Sequence, residues 1–233
     1  MQQRALAIFA HPDDLDFGAA ATVARWVYEG WDIHYVCVTS GQKGGQDPSV
    51  GPAEYGEMRE LEQRAAAMTL GVSDVTFLGW MDSEVDESLD LRRALSREFR
   101  RHRPHRLLTL DPQLLPTDRF VNHPDHRAVG TCALDITMTG GTTAQIFPEL
   151  MLEEGLPPWR ELEETWLMGP ADMPVAVDVT DFVDAKVTAL RCHASQLEGR
   201  PDVEEFVRAR LAAAGAPHGL AAAETFRVQT YRR

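Results

Sequence analysis

Two short stretches carry residue types that bind metal ions and move protons: His11-Pro12-Asp13-Asp14 near the start of the chain and His123-Pro124-Asp125-His126 past its middle. Hydrolytic zinc sites take three protein ligands from His and carboxylate and keep one position for water. His11, Asp14 and His126 supply such a set, so a zinc-type divalent ion is expected. Asp13 then stands beside the ion as general base for attack on a carbonyl. His123, held by Asp125 or a neighbouring carboxylate, is expected to face the oxyanion as an imidazolium donor, and such donors contribute roughly 2.7 to 4 kcal/mol. Protonation of the leaving amine falls to His123 or to protonated Asp13. For any one of these residues alone, helix capping or core packing is the better reading; for the two clusters together it is not.

These stretches form one site only if the fold brings them together. The apolar run Ala5–Phe9 reads as a short buried strand whose C-terminal end delivers His11. Pro12 pushes His11 toward extended geometry and suits the first position of a helix, with Asp13 and Asp14 in its first turn. That helix runs on through 18–29, with Ala20, Val23, Ala24 and Val27 at helical spacing and Gly30 as its stop.

Further strands are expected at 33–39, 72–78 and 106–110, and helices at 54–70 and 89–102. On the helix over 54–70, Met58, Leu61, Ala65, Met68 and Leu70 form the expected apolar face. Arg59, Glu60, Glu62 and Arg64 form a solvated one. The loop 111–121 leads from the fourth strand into the second motif and a helix through Ala133, Leu134 and Ile136.

This alternation predicts an α/β, Rossmann-like fold: a mostly parallel sheet of order 3-2-1-4-5 flanked by helices, with a C-terminal extension. The first and fourth strands are then neighbours. Both motifs meet in one crevice at the C-terminal ends of the strands, where such sheets bind ligands.

Beyond residue 140 the periodicity loosens, and Gly140-Gly141 and Pro157-Pro158 punctuate a stretch expected to lie as a flap over the site. Strands resume at 165–168 and 175–177, helices follow at 181–193 and 203–214, and a last strand lies near 226–228. The chain reads as one domain over 1–233, a core at 1–140 and an extension at 141–233 that completes and covers the site.

Two loops border the expected crevice. The glycine-rich stretch Ser40–Pro48, which holds Gln42, carries neither the P-loop nor the dinucleotide-binding glycine pattern, so a nucleotide cradle is disfavoured. Asp82, in the turn Gly79–Ser83, is a candidate acceptor for a substrate hydroxyl, with an ordinary turn aspartate as the plain alternative.

Acidic residues outnumber basic ones by 36 to 23, a net charge of -13, which argues against nucleic acid and anionic membranes as partners. No apolar stretch approaches the roughly 20 residues of a membrane helix, and signal-peptide features are missing at the N-terminus. A cytoplasmic protein is expected. Cys37, Cys132 and Cys192 show no CxxC spacing and read as buried thiols rather than a disulfide framework or a thiolate zinc site.

His11-Pro12-Asp13-Asp14 together with His123-Pro124-Asp125-His126 resembles the LmbE-like, or PIG-L, family of metal-dependent N-deacetylases. The resemblance extends through Thr39-Ser40-Gly41, Arg59 with Glu62, Leu70-Gly71-Val72, Phe77-Leu78-Gly79 and His193-Ala194-Ser195-Gln196. It implies a Rossmann-like domain, zinc, for which other divalent metals can substitute, held by His11, Asp14 and His126, Asp13 as general base and His123 as the oxyanion-stabilising histidine.

It also implies a hydrolase acting on a small N-acylglucosaminyl compound or related amide, and a homo-oligomer, trimer or hexamer. Gln42, Arg59 and Asp82 are the candidate substrate contacts, Asp82 by loose alignment with a sugar-contacting aspartate. Two positions depart from the mycothiol-pathway branch: Leu15-Asp16-Phe17-Gly18 follows the first motif where many members carry Glu, and Val121 stands in place of a tyrosine. The alternative to an enzyme is a non-catalytic metal- or ligand-binding protein on the same scaffold.

Overall fold

Apolar, β-branched runs covered on both faces by helices make buried parallel strands. Arg4–Phe9 (β1) and Asp32–Thr39 (β2) are such strands and pair in parallel. The computed structural model describes residues 2–114, 116, 121–169, 173–197 and 202–231; part of the loop expected over 111–121 lies outside them.

Asp74–Trp80 (β3) flanks β2, Arg106–Leu110 (β4) flanks β1, and Glu164–Met168 (β5) lies beside β4, all parallel. Direction then reverses. Ala223–Thr230 (β7) runs antiparallel to β5, and Val175–Asp178 (β6) antiparallel to β7. The seven-stranded order is β3-β2-β1-β4-β5-β7-β6, so the expected 3-2-1-4-5 arrangement is present and widened by two strands.

The connecting helices are Asp14–Tyr28 (α1), Pro52–Thr69 (α2), Leu89–His102 (α3) and Pro124–Met138 (α4). Pro148–Leu152 (α5) precedes β5, and Val183–Arg191 (α6), Ala194–Leu197 (α7) and Val203–Gly215 (α8) lie between β6 and β7. The helix expected over 181–193 is split into a 3-10 turn at Thr180–Phe182 and α6, and α7 follows beyond it. Leu6, Ile8 and Phe9 of β1 pack with Leu95 and Phe99 of α3 and Val129 and Ile136 of α4 at the centre of the core. Among the described residues no helix is long and apolar enough to cross a membrane. Cys37 and Cys132 are buried as expected, whereas Cys192 is half-buried.

Two expectations fail for physical reasons. On α2 the expected apolar face points outward: Leu61 is 70% and Met68 72% exposed, while Gly56, Arg59, Gln63, Ala66 and Ala67 are buried. Small residues let α2 approach closely, and its two long polar side chains find buried partners at the turn after β1. Leu70, just past the helix, is buried as expected.

The stretch expected as a flap is fastened elsewhere. Arg100, fully buried on α3, donates to the carbonyls of Gly140, Thr143, Ile146, Phe147 and Leu156, and Trp159 Nε1 donates to Pro104 O. α3 runs against the strands, so its C-terminal end and everything tied to it sit at the opposite sheet edge from His11.

Candidate metal centre

The first motif is carried past the edge of the sheet by a local device. Ala10 O accepts from both Thr39 N and Thr39 Oγ1 at 2.9 Å, so β1 stays aligned with β2 one residue beyond its end. His11 follows at once. Pro12 does not open α1; the helix starts at Asp14, and Asp13 caps it with φ 91°. A non-glycine residue in that region costs on the order of 1–3 kcal/mol, although aspartate tolerates it better than most. The second motif is built differently: Pro124 is the first residue of α4 and His123 its N-cap.

β1 and β4 are neighbours, and the two motifs meet. His11 Nδ1 lies 3.2 Å from His126 Nε2, His126 Nε2 lies 3.0 Å from Asp14 Oδ1, and His11 Nδ1 lies 3.5 Å from Asp14 Oδ2. Donors about 2.0–2.1 Å from a tetrahedral ion stand about 3.3–3.4 Å from one another. The spacing and the chemistry of these three groups fit a divalent ion. Asp14 Oδ2 is fixed from behind by the backbone N–H groups of His11 (2.9 Å) and Ala10 (3.2 Å), which leaves Oδ1 toward His126.

The other face of the His11 ring meets carboxylates. Its Nε2 lies 3.0 Å from Asp125 Oδ2 and 3.2 Å from Asp82 Oδ1. With Nε2–H shared between them, Nδ1, turned to His126 and Asp14, is the nitrogen that would give up its proton to an ion; metal-ligating histidines are oriented by such outer carboxylates. Burial opposes charge on His11, yet Asp125, Asp14 and Asp82 together push its pKa up to about 12. Burial likewise opposes the Asp14 carboxylate, but His126 and His11 hold it well below the usual range.

Asp13 stands beside this cluster with its side chain 16% exposed. Burial and the Asp14 charge push its carboxyl up to about 7, against the opposing charges of Arg59, His193 and His11. Arg59 Nη2 lies 3.4 Å from Asp13 Oδ2 and donates to Pro12 O, while Nη1 donates to Gly41 O. Gly41, at φ 64°, is required here: a Cβ would fall 2.0 Å from Arg59 Nη1. Gln63 Oε1 accepts from the Asp13 N–H at 2.9 Å.

His123 differs from expectation. Its Nδ1 accepts from the Asp125 N–H at 3.2 Å, so the ring proton is on Nε2 and the ring is neutral. Burial and the neighbouring His11 charge lower its pKa accordingly. The Asp125 carboxylate does not hold it: the separation is 3.9 Å, and Asp125 Oδ2 instead takes His11 Nε2 and the Ser83 N–H.

The three residues expected at the substrate are committed within the protein. Asp82, 5% exposed, accepts from the Lys43 N–H and Ser83 Oγ besides facing His11. Gln42 bridges Trp80 O and the Asp82 N–H. Arg59 is 4% exposed and tied as described. They build the walls of the site. Sequence reading missed Gln63, Asp16 and the Ser83 N–H. His193 stood in a quoted motif whose purpose was blank; Gln63 gave no signal on a helix whose polar residues read as solvated.

Two imidazoles and a carboxylate that converge at the C-terminal ends of the strands of a mostly parallel sheet make a donor set of the kind that metal-dependent hydrolases use. Residues 6–137 match the family PIG-L, described as GlcNAc-PI de-N-acetylase. The chain belongs to that family and is a deacetylase.

It is 28% identical over 194 residues to diacetylchitobiose deacetylase of Thermococcus kodakarensis, covering 83% of this chain and 70% of that one. It is 29% identical over 251 residues to a 1D-myo-inositol 2-acetamido-2-deoxy-alpha-D-glucopyranoside deacetylase of Mycobacteroides abscessus, covering 91% and 88%. The solved structure of N,N'-diacetylchitobiose deacetylase from Pyrococcus horikoshii superimposes with a TM-score of 0.88 at 28% identity, over 98% of this chain and 84% of that one.

Proposed function

We propose that the protein hydrolyses the amide of an N-acetylglucosaminyl-type small molecule, releasing acetate and a free amine, with zinc as the native ion. The convergence of His11 Nδ1, Asp14 Oδ1 and His126 Nε2 beside Asp13 carries this reading. Relatives named as deacetylases of diacetylchitobiose and of an acetamido-sugar inositol support the substrate class.

A divalent ion at those three atoms supplies Lewis acidity toward a carbonyl oxygen and lowers the pKa of water to roughly 7. Asp13 accepts the proton of the water that attacks the acyl carbon. His123 donates from Nε2 to the oxyanion as a neutral imidazole, since its Nδ1 is occupied by the Asp125 N–H. Holding one ring proton, His123 keeps that bond through the reaction, and Asp13 returns its own proton to the departing amine. Asp125 and Asp82 keep His11 in the tautomer that ligates through Nδ1. Free cysteines and a net charge of -13 suit a reducing, cytoplasmic setting and a small-molecule substrate.

The test measures metal content and amine release from a panel of N-acetylglucosamine derivatives, for wild type and Asp13→Ala side by side. Zinc in both with amine release only from wild type is expected. Zinc in both with release from neither would point to a binding protein, and undiminished release from the variant would remove Asp13 as the base.

A further inference from the structure

The motif His193-Ala194-Ser195-Gln196 has no part in the reaction described above, and it leads to Asp13. His193 Nε2 donates to Asp16 Oδ2 at 2.8 Å; the same oxygen accepts from Gln63 Nε2 at 2.8 Å; and Gln63 Oε1 accepts from the Asp13 N–H. All three side chains are 0% exposed. The direction of each bond is fixed. A carboxylate only accepts, so Gln63 must turn its amide nitrogen to Asp16 and its oxygen to Asp13, and His193 must carry its proton on Nε2.

We propose that His193, Asp16 and Gln63 are positioning residues that hold the backbone turn of Asp13, and through it the general base, in its working place. This rests on the reading of Asp13 as that base. Three observations favour it over simple packing. Asp13 is held at φ 91°, a conformation that persists only where surroundings over-determine it. None of the three residues supplies a donor atom to the cluster of His11, Asp14 and His126. Burying a carboxylate, an amide and an imidazole is unfavourable unless they are paired, and here Asp16 Oδ1 and His193 Nδ1 even stay unpartnered. An apolar trio fills the same space at less cost, but offers the Asp13 N–H no acceptor.

The remaining residues of the motif anchor the helix that carries Gln63. The Ser195 N–H and Oγ donate to Glu62, and Gln196 Nε2 donates to Tyr55 OH, joining α7 to both ends of the relevant stretch of α2. This gives α2 its inverted polarity a purpose. Arg59 and Gln63, one turn apart on the buried face, grip the Pro12 carbonyl and the Asp13 N–H from one side.

The experiment compares wild type, Gln63→Met, His193→Ala, His193→Gln and the double variant Gln63→Met/His193→Ala. Each is assayed for kcat and KM on an N-acetylglucosamine derivative, for bound zinc and Tm, and for hydrogen exchange at the Asp13 amide. Gln63→Met is expected to lower kcat about 10- to 100-fold, the scale of a misplaced catalytic group, with KM and zinc content within about twofold. His193→Ala acts through the same chain, so the double variant is no slower than the worse single one, and His193→Gln, which keeps a donor for Asp16, recovers most of the rate.

Asp13 amide exchange rises in Gln63→Met and His193→Ala. That readout stands even where no sugar amide is turned over, so loss of the deacetylase reading and loss of this one are told apart. A folded Gln63→Met with unchanged kcat, unchanged exchange at Asp13, or losses that multiply in the double variant would overturn the proposal. Should His193→Ala fail to fold, Gln63→Met, which leaves the His193–Asp16 pair intact, decides it alone.

Discussion

Two histidine–aspartate clusters lie at opposite ends of the same sheet, each with potential ligand atoms within 4.8 Å of one another, but the one around His11 is largely buried and the one around His34 is open to solvent. At the N-terminal edge, His34 Nδ1 lies 3.0 Å from Asp74 and its Nε2 3.3 Å from Asp32, while His102 Nε2 lies 3.4 Å from Glu98. The His34 and His102 rings lie side by side, centroids 4.3 Å apart and tilted by 31°. Each nitrogen of His34 ends on its own carboxylate, and Asp32 and Asp74 are 40% and 52% exposed.

At the C-terminal edge two imidazole nitrogens face each other at 3.2 Å, because His11 is pulled from behind by Asp125 and Asp82 and Asp14 is pinned by two backbone N–H groups. The residue types are the same. What separates the candidate metal centre from a set of exposed ion pairs, themselves worth ~0–1 kcal/mol each, is burial and the two backbone N–H groups that pin Asp14.

The largest effects should break that contrast at its centre. His126→Ala is expected to lose the ion, and with it the metal-dependent part of stability, which scales as the mass-action term for ligand binding. His34→Ala, at the other end, leaves metal content at its wild-type value. Elemental analysis after dialysis checks both, and equal loss from the two variants would erase the distinction drawn here. Asp13→Asn keeps the ion but is expected to lower kcat about 10²- to 10⁴-fold, the usual contribution of a positioned general base.

The β/α alternation was legible from strand and helix periodicity, and the common doubly wound order 3-2-1-4-5, which the sheet contains, places a crevice at the switch point. The convergence of the two motifs followed from that order alone. What the sequence could not show was where long polar side chains end. Arg59 and Gln63 have the letters of a solvated face, and only the proximity of the Asp13 turn buries them. Asp82 and Gln42 sit on loops at the right edge, and the partners they find there, the Lys43 N–H, the Trp80 carbonyl and the His11 ring, are set by loop packing that periodicity does not show. The segment 140–156 was misplaced because a single buried arginine, Arg100, decides which end it joins, and its helix reads as generically charged.

A smaller effect sharpens the role of the outer partners. Asp125→Asn and Asp82→Asn are each expected to weaken metal affinity about 10- to 100-fold, as losses of outer partners do, without removing a ligand. Competition with a chelator measures it. Asp74→Asn, the corresponding change beside His34, leaves that affinity unchanged. A finding that Asp125→Asn has no effect would mean that the ring of His11 is oriented by packing alone.

The smallest effect concerns the buried pair His193–Asp16 behind the site. Burial lowers the His193 pKa, but the hydrogen bond and charge of Asp16 outweigh it, and the net shift is upward from 6.5. A histidine whose pKa is higher folded than unfolded contributes stability that is complete below about 6.5 and fades as pH rises through the folded value. His193→Gln keeps a donor to Asp16 without a titrating group. The Tm advantage of wild type over this variant should therefore be greatest in mildly acidic buffer and shrink above about pH 6.5, a change of a few degrees in a chain of this size. A Tm difference for His193→Gln that instead grows with pH would mean that the folded protein favours the neutral ring, and that Asp16 does not outweigh burial.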